Sequence, residues 1–234
     1  PLLKKPSPEW WEIVFFDMEM AAVLFPPKKT AQAKKEVAGI IRMTGLRRGA
    51  RVLDAACGIG RHAHEFARRG FQVVGVDACP AYVKAAKRPS PLSSPRGRGS
   101  RAEFYRAELR DLRPHHGRFD LAVNLFTSFG YYRKAADNER ALSQMVLCLK
   151  PGGTLILELR CREGLENLQE RSWRVLEGGF LLEEHSWVEA GRRMKNTWTI
   201  LKGPDRRTAV FELQIYSIPE LKALFRRAGL KSIR

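Results

Sequence analysis

The sequence predicts an α/β chain: a doubly wound parallel sheet with an N-terminal helical cap before it and an antiparallel β extension after its fifth strand. Three observations predict this. The run Val52–Leu53–Asp54–Ala55–Ala56 reads as a buried parallel strand that passes through Cys57–Gly58–Ile59–Gly60 into a helical pattern. Between residues 46 and 160, short apolar runs alternate with segments of helical periodicity. From 161 to 216 the period changes to two, with turn residues between the runs. The expected divisions are a cap and lead helix over 1–45, a ligand-binding core over 46–160 and the extension over 161–216. A last helix and the start of the core's final strands follow over 217–234.

The elements follow in order. Residues 1–29 read as a lid: Pro6, Pro8, Pro26 and Pro27 break it, and Trp10, Trp11, Ile13, Val14, Phe15 and Phe16 form a dense apolar block. Thr30 is positioned to cap a helix whose inner face is Ala33, Val37, Ile40 and Ile41 and whose stop is Gly45. After strand 1, the helix from Gly60 to Arg69 turns Ala63, Phe66 and Ala67 inward. Strand 2 is Gln72–Val76, ending at Asp77, and Pro80 starts the next helix. Residues 88–101 lack apolar periodicity and read as a basic loop. Glu103–Arg106 is strand 3, and His115 and His116 precede strand 4 at an expected solvent-exposed edge. Phe119–Leu125 is strand 4, and a helix spans 137–149. Pro151–Gly152–Gly153 has type II turn composition, and Thr154–Leu159 is strand 5. Three or four antiparallel strands then lie around Gly178–Gly179, Gly191–Arg192 and Gly203–Pro204–Asp205. Ser217 caps the last helix, which ends at Gly229. The whole is a Rossmann-like doubly wound sheet with a cap and an extension.

Composition sets limits. With 234 residues the chain can bury a sizeable core. No apolar stretch approaches the ~18–20 residues of a membrane span, and the N-terminus lacks an apolar signal core. Cys57, Cys79, Cys148 and Cys161 form no CxxC pair and no zinc spacing, so reduced thiols, a cytoplasmic protein and no metal site are expected. The net charge is +17. Residues 84–113 carry nine Lys/Arg against three acids, and residues 192–234 carry eleven against three. Such charge would suit a nucleic-acid partner, but without a recognition motif a solvated basic surface is the plainer reading.

The chemistry centres on the glycine loop. A ligand would sit at a helix N-terminus beyond the carboxyl end of a strand. Gly58-x-Gly60-x-x-Ala63 also satisfies a dinucleotide fingerprint, which leaves a nicotinamide-dependent oxidoreductase open. Asp54 tips the balance, because a carboxylate at the loop entrance repels a pyrophosphate and attracts an ammonium. S-adenosylmethionine offers an ammonium, an adenosine and no phosphate. Asp77 ends strand 2, where an acid hydrogen-bonds both ribose hydroxyls. The loop Asn124–Tyr132 leaves strand 4 with hydroxyls, an amide and aromatic faces, a wall suited to a small organic acceptor. Its candidate substrate contacts are Phe126, Thr127, Ser128 and Tyr131, with Phe16 from the lid. Candidates for proton transfer are His62, Tyr131, Tyr132, Glu158 and His185.

The ordered segments VLDAACGIGRH (52–62), VVGVDACPAYVKAAK (73–87), YRAELRDL (105–112), FDLAVNLFTSFGYY (119–132), LKPGGTLILEL (149–159) and YSIPELKALFRRAGL (216–230) resemble the class I S-adenosylmethionine-dependent methyltransferases. The resemblance is to small-molecule-type members, in which a helical cap and strands after the fifth close over the substrate. It implies a methionine-side loop of Asp54, Ala56, Cys57, Gly58 and Gly60, with Asp77 on the ribose and Ala78 on the adenine. Glu108 and Leu109 would meet the adenine edge, where the family commonly has aspartate at the position of Glu108. Asn124 would flank the methionine moiety. The implied reaction is in-line methyl transfer to a small-molecule acceptor, leaving S-adenosylhomocysteine. An RNA- or ribosome-directed methyltransferase and a non-catalytic cofactor-binding protein are the other readings. No NPPY- or DPPY-type tetrapeptide follows strand 4, which disfavours amino-methyltransferases acting on flipped bases. Membrane association is not expected, and oligomeric state is not legible.

Overall fold

The computed structural model describes residues 9–15, 23, 25–88 and 101–233. Five parallel strands form one sheet in the order β3-β2-β1-β4-β5: β1 (Arg51–Ala55), β2 (Gln72–Asp77), β3 (Arg101–Arg106), β4 (Phe119–Asn124) and β5 (Leu149–Leu157). Alternation along β1 sends Val52 to one face and Leu53 to the other, and both are fully buried. Val52 joins Val37 and Ile40 of α2 (Pro27–Thr44), Ala63 and Phe66 of α3 (Arg61–Arg68), and Val83 and Ala86 of α4 (Pro80–Ala86). Leu53 joins Leu142 and Met145 of α5 (Ala135–Leu147) and Leu221 and Leu224 of α6 (Ile218–Arg227). Helices thus cover both faces, which explains the unbroken apolar runs of β1 and β4. Each fully buried Leu or Val in these layers contributes about 1.5–3 kcal/mol.

The second sheet is an antiparallel meander, β6 (Arg171–Leu176), β7 (Gly179–Val188), β8 (Arg193–Lys202) and β9 (Asp205–Gln214). Its inner face places Leu181, Ile200 and Phe211 in the same apolar cluster as Leu53. Helix α1 (Trp10–Phe15) is held between this sheet and the core: Trp10 stacks on Phe211 at 4.7 Å, and its Nε1–H donates to the Tyr131 carbonyl at 2.8 Å. Among the described residues no helix is long and apolar enough to cross a membrane.

Several local expectations change. Helix α2 begins at Pro27 and not after Thr30, since proline pre-sets the φ of a first helical residue. Strand β5 starts at Leu149, and Pro151–Gly152–Gly153 lies inside it as an irregularity in the pairing with β4. Strand β3 starts two residues early, at Arg101, because it continues the ladder with β2 from Gln72. His115 is buried beside Phe119, contrary to the expected exposed edge, while His116 reaches Gln144 at 3.1 Å. The last helix has the expected start: Ser217 and Glu220 form a reciprocal capping box. The basic loop over 89–100 and Phe16 lie outside the described residues.

Candidate active site

A cavity opens at the carboxyl ends of β1, β2 and β4, under α1. Crossing from β1 into α3 requires a tight turn. Gly58 (φ 54°) and Gly60 (φ 79°) adopt left-handed backbone, and a Cβ on Gly60 would lie 2.8 Å from the Phe104 ring. Gly58 lines the cavity, whereas Gly60 acts as the turn and packing residue beneath it.

The two carboxylates arise from neighbouring strand ends. Asp54 is 2 % exposed, and its Oδ2 accepts from the backbone N–H of Ala63 in the first turn of α3 at 3.1 Å. Burial pushes its pKa up to about 7, while the nearby Arg61 guanidinium and the Ala63 hydrogen bond act in the opposite direction. Asp77 accepts from Gly58 N–H and Cys79 N–H, each at 2.8 Å, and burial raises it to about 6. These N–H groups are the ones a Gly-rich loop and helix start would otherwise direct at a phosphate. The amides of Gly58, Ala63 and Cys79 are thus engaged by carboxylates that can accept further hydrogen bonds from hydroxyl and ammonium groups. Ala78, Tyr82, Ala107 and Leu109 extend the wall beyond Asp77 with apolar surface.

The opposite wall is strained backbone. Phe126 (φ 65°) and Thr127 (φ 60°) are consecutive non-glycine residues in left-handed conformation, each costing about 1–3 kcal/mol. Glu158 holds both: its Oε2 accepts from Phe126 N–H at 3.1 Å and its carbonyl from Thr127 N–H at 3.0 Å. Phe126, Ser128, Tyr131 and Tyr132 line the cavity, while Thr127 does not. Burial raises both tyrosines well above the ordinary phenol value, with the Glu108 carboxylate adding to the effect on Tyr132.

His62 lines the cavity and is held from behind: its Nε2 lies 2.7 Å from Glu36 Oε2. Burial and the adjacent Arg61 charge bring it down to about 4, so the ring is neutral at pH 7. Arg61 also reaches Glu36, at 3.1 Å, and its guanidinium sits over the Phe126 ring at 4.9 Å. Neither Arg61 nor Glu36 was apparent from the sequence as a site residue. Arg61 follows Gly60 directly, so its place in the loop could have marked it; Glu36 carries no local signal.

Other expected site residues fall elsewhere. His185 sits in β7 facing Asn196 Oδ1 at 2.8 Å, away from the cavity, because the extension folds as a separate sheet. Glu108 is bound by Arg110 and does not line the cavity, although Leu109 beside it does. Asn124 is fully buried below the floor and donates to the Ala55 carbonyl at 2.8 Å, tying β4 to β1. Ala56 and Cys57 line the cavity with Gly58. Among the described residues no group of three or more His, Cys, Asp or Glu could hold a metal ion.

The methyltransferase domain family matches residues 52–153. A glycine/sarcosine N-methyltransferase of Parasynechococcus marenigrum is 33% identical over 149 residues, covering 64% of this chain and 48% of that protein. The chain spans about half the length of the curated relatives it matches first. Among solved structures, a sugar N-methyltransferase from Streptoalloteichus has the same fold, with TM-score 0.68, 22% identity and coverage of 92% of this chain and 83% of that one. An S-adenosylmethionine-bound amino pentose methyltransferase from Micromonospora echinaspora matches with TM-score 0.68 and 26% identity, over 91% and 88% of the two chains.

Proposed function

We propose, from the premise that residues 52–153 are a methyltransferase domain of class I fold, that this chain transfers a methyl group from S-adenosylmethionine to a small-molecule acceptor. The observation that carries the reading is the pair Asp54 and Asp77. They engage the amides of Gly58, Ala63 and Cys79 and line the cavity with carboxylates, which fits an ammonium and a ribose and opposes a pyrophosphate. In this reading Asp77 receives the ribose hydroxyls, Ala78 and Leu109 flank the adenine, and Asp54 receives the ammonium. Ala56, Cys57 and Gly58 form the methionine-side floor.

When bound, the sulfonium supplies an activated methyl group. The chain's own work is alignment, exclusion of water and charge balance. Trp11, Leu125, Phe126 and Tyr131 wall the acceptor side with apolar surface, and Ser128 adds a hydroxyl for orientation. Tyr131 and Tyr132 stay protonated and act as donors. His62 is neutral and weakly basic. Such a lining offers no strong base for an acceptor hydroxyl, and suits a small amine that enters in its neutral form or gives its proton to water. The relatives named for glycine, sarcosine and amino-sugar methylation support that choice. Of the described Lys and Arg residues, only Arg61 lines the cavity, so the +17 charge is a property of other surfaces. The thiols of Cys57, Cys79, Cys148 and Cys161, none of them in a disulfide, support a reducing, cytoplasmic setting.

The test is calorimetric titration with S-adenosylhomocysteine, with NADH as control. Saturable binding of the homocysteine compound alone is expected. Preference for NADH would overturn the reading.

A further inference from the structure

Arg61 is a buried cation in the wall of a site read as binding a cation. It is 7 % exposed, opens α3 and lines the cavity. A sulfonium cofactor and its thioether product differ by one positive charge at sulfur. Two unit charges about 10 Å apart in a partly buried site interact strongly enough to change affinity several-fold. An unbalanced Arg61 would therefore penalise the cofactor and spare the product. Asp54 feels the Arg61 charge from within the cavity, but the carboxylate paired with Arg61 comes from α2: Glu36 Oε2 lies 3.1 Å from Arg61 Nη1 and 2.7 Å from His62 Nε2. Glu36 itself does not line the cavity.

We propose that Glu36 is a positioning residue that cancels the Arg61 charge and thereby sets the preference of the site for S-adenosylmethionine over S-adenosylhomocysteine. This rests on the cofactor reading given above. Its consequence is control of product inhibition from a residue on the lead helix, one layer behind the cavity wall. His62 serves the same arrangement, since its ring fixes the carboxylate that Arg61 needs.

The experiment is calorimetric measurement of both dissociation constants for the wild type and for Glu36→Gln, Glu36→Asp, Arg61→Gln and the Glu36→Gln/Arg61→Gln double variant. The ratio Kd(S-adenosylmethionine)/Kd(S-adenosylhomocysteine) is expected to rise about three- to tenfold in Glu36→Gln. It returns to within about twofold of the wild type in Glu36→Asp, which keeps the charge, and in the double variant, which restores neutrality. General loosening of the loop weakens both ligands alike and leaves the ratio unmoved. Arg61→Gln leaves Glu36 unbalanced and shifts the ratio the other way, which keeps the inference testable should Glu36→Gln not fold. An invariant ratio across variants that bind both ligands overturns this inference alone. A wild type that binds neither ligand overturns the cofactor reading and this inference with it.

Discussion

Asp54 and Asp77 reach the cavity from the ends of adjacent parallel strands, and each is oriented by backbone N–H groups within a few residues or one strand of itself. The acceptor wall is built differently. Trp10 and Tyr131, 121 residues apart, meet through one indole–carbonyl hydrogen bond, and Trp10 stacks on Phe211 from a third region. The proposed cofactor half is thus a local backbone motif carried by a central sheet. The proposed acceptor half is a convergence of side chains from the cap, the loop after β4 and the extension. A motif of the first kind is set by chain neighbours and recurs with the fold; one of the second kind can be re-formed by changing any of three distant segments.

Breaking the cofactor half has the largest expected effect. In the proposed reading Asp77→Ala removes the acceptor for two ribose hydroxyls as well as the Gly58 and Cys79 contacts, so binding of S-adenosylhomocysteine is expected to weaken at least ~100-fold by calorimetry. Trp10→Ala loses the Phe211 stack and the Tyr131 hydrogen bond. Its KM for the acceptor rises about tenfold while cofactor affinity stays within about twofold. A parallel loss of cofactor affinity would show that the two halves are not separable.

Asp54 sharpens the same contrast through pH. Its folded-state pKa is about 7 against an ordinary 3.8, so between those values the folded chain holds more protons than the unfolded chain. The stability contribution of this group therefore falls as pH rises through that window. Asp54→Asn is expected to gain a few degrees in apo-protein Tm at pH 8 relative to pH 5 when each is referenced to wild type. In the proposed reading cofactor binding needs the Asp54 carboxylate charged, so it is expected to be about tenfold weaker at pH 6 than at pH 8 in the wild type, and the variant loses most of that dependence. The smallest effect belongs to His185→Ala: kcat changes by less than about twofold, because the ring faces Asn196 outside the cavity.

Most of the parallel core was legible because its signals are local. The run into Cys57–Gly58–Ile59–Gly60 needs left-handed backbone where glycine stands, and an acid stands at or next to the last residue of each of the first two apolar runs, Asp54 before Ala55 in β1 and Asp77 at the end of β2. The Ser217–Glu220 box is equally local. Errors of boundary fell where tertiary pairing extended an element, as at Arg101 and Leu149. That Glu108 pairs with Arg110 beside the cavity is an arrangement of side chains and leaves no mark in spacing. The place of His185 outside the cavity lining was not legible, because period-two patterning locates a strand without locating its sheet relative to the cavity.

By itself, then, the sequence determined the order of strands and helices, the glycine turn and the acids at the strand ends, since backbone sterics and hydrophobic alternation act between near neighbours in the chain. Only the tertiary structure decided which carboxylate serves the cavity and which is tied to an arginine, that Glu36 backs Arg61 across 25 residues, and that burial holds Asp54 near neutral pH. Those outcomes depend on desolvation and on charges brought together from distant segments, quantities that exist only once the chain is packed.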